Sequence, residues 1–128
     1  MKLHTNPTAH LNTVTGYGPG WVEINAQRHA GSTLVMPEGL LASWPVARFE
    51  DLTPEHFTAL AEHRPEVVLF GSGERLRFPA PRLTAGLRAA GIGFEAMDVR
   101  AACRTYNILM EEGRRVAAAL LIEGDAGA

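Results

Sequence analysis

The spacing of apolar positions changes midway along the chain, and the change predicts its architecture. Early on, Trp21-Val22-Glu23-Ile24-Asn25 alternates apolar and polar residues at period two, the pattern of a strand with one wet face. The dense turn Gly16-Tyr17-Gly18-Pro19-Gly20 precedes it, and Thr33-Leu34-Val35-Met36 follows as a second alternation. The short polar link Gln27-Arg28-His29 between the two runs predicts an antiparallel hairpin. Pro45 to Phe49 reads as another short extended piece. A helix then opens with Thr53 as N-cap, Pro54 at the first helical position and Glu55 in the first turn. Phe57, Leu60 and Ala61 share its apolar face, and Arg64-Pro65 ends it near His63.

From Glu66 onward strand and helix alternate, which predicts α/β layering around a sheet with parallel members. Val67-Val68-Leu69-Phe70 is unbroken by polar residues, as befits a strand buried on both faces, and it stops at Gly71-Ser72-Gly73. Pro79 and Pro81 set up a helix in which Leu83, Gly86, Leu87 and Ala90 share a face. Gly86 would allow close approach to the sheet, and Gly91 would close the helix. Gly93 to Met97 is the next strand, and Asp98 caps a helix running to about Glu111, ended by Gly113. On the helical wheel Val99, Ala102, Cys103, Tyr106, Leu109 and Met110 form one apolar stripe, with Arg100, Arg104 and Asn107 on a polar flank. Val116 to Ile122 is a last buried strand.

Composition narrows the function classes. The 128 residues, 46% hydrophobic and 20% charged, fit one compact soluble domain over 1–128, with 1–8 and 124–128 expected to fray. A net charge of -2 provides no footprint for nucleic acid. The amino terminus carries one lysine and no apolar run, and Val116 to Ile122 is far too short to cross a membrane. The single cysteine, Cys103, forms no intrachain bridge, which agrees with a reducing compartment and a cytoplasmic location.

Candidate chemistry is sparse. His4, His10, His29, His56 and His63 are scattered outside any ligand spacing, so no metal or cofactor is expected. Cys103 falls on an apolar stripe, the place of a packed structural thiol. Ser72 lacks the GxSxG elbow and a placed base, so no catalytic set emerges. Gly71, Ser72 and Gly73, followed by Arg75 and Arg77, offer backbone amides and guanidinium forks suited to a small anion such as phosphate or carboxylate. A bare tight turn with two solvated arginines accounts for the same letters. Arg104 and Asn107, in the polar run Arg104-Thr105-Tyr106-Asn107, complete the candidate ligand residues.

Taken together, EVVLFGSGERLRFP, GIGFEAMD leading into AACRTYNILMEEGRRVAAALL, and the GYGPGW opening resemble the Mth-nine-three-eight-like family of small domains. The resemblance implies one three-layer α/β domain with an α+β tendency. It would have a central mixed β-sheet, helices on one face and an N-terminal antiparallel strand layer on the other. The family's relatives include a mitochondrial assembly factor for respiratory complex I and an animal adipogenesis-associated protein. The function expected is therefore a non-catalytic protein-binding or assembly module; the alternative is a small-anion-binding protein or enzyme using the glycine turn with Arg75 and Arg77. Opposite the apolar stripe, Ala101 and Ile108 lie among Arg104 and Thr105, a face suited to a protein partner or a second copy of the chain.

Overall fold

The computed structural model describes residues 10–124. Of the termini expected to fray, all but Gly124 lie outside the described residues. Strands β1 (Val14–Gly18), β2 (Trp21–Ile24) and β3 (Gln27–Ala30) form an antiparallel sheet in that order. The main sheet has five strands, β4 (Thr33–Val35), β5 (Leu41–Ser43), β6 (Val67–Gly71), β7 (Gly93–Met97) and β8 (Val116–Leu120), in the order β5-β4-β8-β6-β7. Strand β6 pairs parallel with both β7 and β8, whereas β4 is antiparallel to β8 and β5, so the sheet is mixed. Helix α1 (Pro54–Thr58) continues as 3-10 turns over Ala59–His63, α2 is Pro81–Ala89 and α3 is Val99–Glu111.

Side chains alternate across the main sheet and divide the core in two. Val68, Phe70, Ala117 and Ala119 pack with Phe57 of α1, Leu60 of its 3-10 continuation, and Leu83 and Leu87 of α2. Leu69, Val116, Ala118 and Leu120 pack with Cys103, Tyr106 and Met110 of α3 and with Val14, Val22 and Ile24 of the small sheet. The expected α/β architecture with a mixed central sheet and an N-terminal strand layer is the one observed. The expected segregation of helices to one face does not hold: α1 and α2 cover one face, while α3 shares the other with the strand layer. Polar ties reinforce this packing: Tyr106 Oη donates to the Asn12 carbonyl at 2.7 Å, and Asn107 pairs with both the N–H and the carbonyl of Val14 at 3.0 and 2.8 Å.

Local chemistry explains where the elements begin and end. Asp98 Oδ1 accepts from the Ala101 N–H at 2.9 Å and starts α3, and Gly113, with a φ of 82°, stands just beyond its end. The N-terminal hairpin differs from expectation. Gln27–Ala30 is itself a strand paired with β2, and Thr33–Val35 belongs to the main sheet. The turn is Asn25-Ala26, with φ of 50° and 67°, the signature of a tight type I′ hairpin. Thr13 and Thr15 hold it: the Asn25 N–H donates to the Thr13 carbonyl, and the Ala26 N–H to Thr15 Oγ1. Extended structure was expected over Pro45 to Phe49; it occurs instead at Leu41–Ser43, and a 3-10 turn occupies Phe49–Asp51. Gly86 faces helix α1 and not the sheet, since a Cβ there would lie 2.2 Å from Thr58 Cγ2.

Three outcomes follow from this packing. Gly86→Ala should destabilise by about 1–3 kcal/mol through overpacking, yet in a Thr58→Ser background, which removes the opposing methyl, it should be neutral or stabilising by up to about 1 kcal/mol through helix propensity. Urea midpoints of the four proteins decide; an equal penalty in both backgrounds would show that Thr58 is not the obstacle. Ala26→Gly should stabilise by about 0.5–1 kcal/mol, because glycine carries no steric cost at positive φ; a lowered midpoint would contradict the turn described. Cys103 is 2% exposed, and burial pushes its thiol up to about 12 against the opposing charge of Arg104. The native protein should therefore react with a thiol reagent only as fast as it unfolds; rapid stoichiometric labelling of folded protein would refute this.

Candidate functional site

The buried strand β6 ends at Gly71, where α3 crosses close to the sheet. A Cβ at Gly71 would lie 3.1 Å from Val99, Ala102 and Leu120 side-chain atoms, so the glycine lets the helix settle. Gly73 has a φ of 104°, which an L side chain rarely adopts, and its carbonyl accepts the Val99 N–H at 2.8 Å. The loop is thereby tied to the first residue of α3.

Ser72, between the two glycines, is fully buried. Its hydroxyl donates to the Arg75 carbonyl at 2.8 Å and accepts from the Arg77 N–H at 2.8 Å, closing the loop on itself. The Arg77 guanidinium donates to the Ser72 carbonyl at 2.6 Å and to Glu123 Oε1 at 2.7 Å, and it lies 4.7 Å from the centre of the Phe49 ring. Glu123 Oε2 in turn accepts the Phe49 N–H at 2.9 Å. Burial pushes the Glu123 carboxyl up, but the Phe49 N–H and the Arg77 charge outweigh it and hold the group below its ordinary range. Arg77 and Ser72 are thus engaged in building the loop.

Beside this loop lies a cleft of about 850 Å³, walled by the Gly18-Pro19-Gly20 turn on one side and by Gly73, Arg75 and Arg100 on the other. Leu121 and Ile122, which follow β8, border it but are buried, and the half-buried Val99 contributes apolar lining. Of the residues the sequence suggested for a ligand, the cleft brings together Gly73, Arg75 and Arg77. Gly71 and Ser72 are buried beneath it, Arg104 is exposed on α3 away from its lining, and Asn107 is committed to β1. Arg100, Tyr17 and Glu123 are lining residues that sequence reasoning missed. Arg100 carried a signal, since the helical wheel put it on the polar flank of α3. Glu123 carried none, because its partner Arg77 lies 46 residues away.

On α3, Ile108 is 55% exposed, Arg104 is exposed, and Ala101 and Thr105 are half-buried. Two further apolar side chains, Leu76 and Phe78, are 48% and 72% exposed in the loop after Gly73. Their interleaving with Arg75 and Arg77 made that stretch read as a polar turn. Among the described residues no group of three or more His, Cys, Asp or Glu is placed to hold a metal ion, and no helix is long and apolar enough to cross a membrane.

The family described as "protein of unknown function (DUF498/DUF598)" matches residues 14–121. NADH dehydrogenase (ubiquinone) 1 alpha subcomplex assembly factor 3 of Homo sapiens is 32% identical over 123 residues, covering 94% of this chain and 66% of that protein. The Bos taurus protein of the same name is 32% identical over 110 residues, covering 84% of this chain and 59% of that one. The chain therefore spans roughly three-fifths to two-thirds of the length of these relatives. Among solved structures, a Bordetella parapertussis protein superposes with a TM-score of 0.84 at 49% identity, over 91% of this chain and 99% of that one. A Bordetella pertussis protein described as an Mth-nine-three-eight-like domain gives a TM-score of 0.82 at 44% identity, over 98% of this chain and 94% of that one. Matched from its first strand to the end of its last, and carrying the fold of these solved structures, the chain belongs to the DUF498/DUF598, or Mth-nine-three-eight-like, family.

Proposed function

We propose that this chain is a non-catalytic protein-binding module that acts as an assembly factor for an NADH dehydrogenase-type complex. The observation that carries the reading is the 32% identity to a complex I assembly factor over 94% of this chain. Two features of the site support it. The Ser72 hydroxyl is consumed by backbone bonds, and the Cys103 thiol is buried, so neither side chain is disposed as a nucleophile. The α3 face presents Ile108 with Ala101 beside it and Arg104 and Thr105 around them, an apolar centre with a polar rim. Its occupant is a protein partner, and the same face would serve a second copy of the chain.

The test is affinity purification of the full tagged chain, wild type and Ile108→Glu, from its native cell, with NADH dehydrogenase subunits quantified in both eluates. The expected result is recovery of such subunits with the wild type and a loss of about tenfold with the variant, equivalent to about 1.4 kcal/mol of contact. Its melting temperature should stay near that of the wild type, because the side chain is on the surface. Recovery at background with the wild type, together with unchanged assembly of the complex in a deletion strain, would overturn the reading. Undiminished recovery with Ile108→Glu would move the interface off this face.

A further inference from the structure

The cleft between the glycine loop and the Gly18-Pro19-Gly20 turn has a chemistry of its own, independent of the α3 face. We propose that it is a binding site for a small organic anion, a carboxylate or phosphate monoester carrying an apolar body, with Arg75 and Arg100 as the anion-holding residues. Its place in the fold is the first argument. Strands β6 and β7 are parallel neighbours, yet the loop leaving β6 leads to α2 on one face of the sheet and the loop leaving β7 leads to α3 on the other. At the carboxyl ends of such strands the diverging loops leave a crevice, and open α/β sheets bind ligands there. At about 850 Å³ the cleft is within the size range of small-molecule sites.

The charges supply the second argument. Three arginines and two glutamates line the cleft, an excess of one positive charge. Arg77 and Glu123 neutralise each other at 2.7 Å. Arg75 and Arg100, by contrast, make no hydrogen bond through their side chains and no ion pair among the described residues, so both guanidinium forks are available to an incoming oxyanion. The remaining carboxylate, Glu74, is exposed to solvent, where its charge is screened. The third argument is the lining: the half-buried Val99 gives apolar surface beside the guanidiniums, and Tyr17 at 37% exposure adds an aromatic wall. A bare inorganic ion would leave that surface wet, whereas an anion with an apolar body covers it.

Phenyl phosphate, inorganic phosphate and neutral benzyl alcohol serve as probes, each titrated at fixed ionic strength into the full chain while its backbone amide spectrum is followed by NMR. Phenyl phosphate should give saturable shifts at Gly18, Gly20, Gly73 to Arg75 and Arg100, with a Kd at or below the low millimolar range, about 1 mM. Arg75→Gln and Arg100→Gln should each weaken it by about fivefold or more, and Arg82→Gln, an exposed arginine on α2, should leave it unchanged. Inorganic phosphate should bind at least about threefold more weakly than phenyl phosphate, and benzyl alcohol more weakly still. Ile108→Glu should not alter the titration, so failure here is separable from failure of the protein-binding reading. Absence of saturable shifts up to about 20 mM, or undiminished binding by an Arg75→Gln, Arg100→Gln double variant that keeps the wild-type spectral dispersion, would overturn the site. Inorganic phosphate binding as tightly as phenyl phosphate would overturn the apolar part of the ligand.

Discussion

Everything in this fold follows from strands β6 and β8 being buried on both faces. All five residues of β8 are 0% exposed, and Val68, Leu69 and Phe70 of β6 are at 1% or less. A strand in that position needs a layer above and a layer below. Register makes the two layers compatible: Val68, Leu69 and Phe70 stand opposite Ala117, Ala118 and Ala119. Each large side chain of β6 thus has a small neighbour on β8, which leaves room for side chains arriving from the helices. On the α1 side Trp44 and Phe57 meet Phe70 edge-on, with ring centres 6.0 and 5.5 Å apart. Burial of each such ring contributes on the order of 2–3 kcal/mol. On the α3 side the small partner is Gly71, over which Ala102 closes.

The same economy of space explains the loop after β6. Once α3 has settled on Gly71, the chain must leave the sheet beneath the helix start, and Ser72 is buried without access to water. Its hydroxyl takes the Arg75 carbonyl and the Arg77 N–H as partners, which satisfies polar groups that would otherwise be costly to bury. Arg77 then reaches back across the loop to Glu123, joining the loop to the chain beyond β8. Because the folded protein holds the Glu123 carboxyl below its ordinary range, the contribution of this tie is complete above the usual carboxylate pKa. It is lost as pH falls through the depressed value. Arg77 is for this reason part of the loop's construction, and the available positive charge at the cleft rests with its neighbours.

The second half of the chain was legible because its signals are local. Asp98 before α3, Pro81 at the start of α2, and Gly91 and Gly113 just past the helix ends mark boundaries by their own backbone chemistry. The hairpin at Asn25-Ala26 was not legible, since alanine has no preference for positive φ and the bonds that hold it there come from Thr15 of β1 and from Thr13 just before it. Nor does the apolar stripe of α3 say which face of the sheet it meets. That depends on strand order: the chain moves outward from β6 to β7 and then returns past β6 to β8, and right-handed crossovers in opposite directions put α2 and α3 on opposite faces. The candidate site divided along the same line. Arg75 and Gly73 lay beside a readable strand end, whereas Glu123 entered through a contact spanning 46 residues.

Helix α3 connects the two proposed surfaces, and its geometry keeps them apart. Arg100 at the cleft and Arg104 on the exposed side are one turn apart, so the edge of the cleft grades into the face around Ile108. Ile108 is eight residues beyond Arg100, about 12 Å along the helix axis. At physiological ionic strength charges interact over about 8 Å, so a glutamate introduced at Ile108 is largely screened from an anion at Arg100. A partner large enough to cover Ile108 would nevertheless extend over Arg104 and approach the cleft mouth, because a stable interface buries about 800 Å² on each side. Occupation of the cleft and docking on α3 are thus separable by single substitutions but adjacent in space. The residue at which they would meet is Arg104, exposed, one turn from Arg100 and one turn from Ile108.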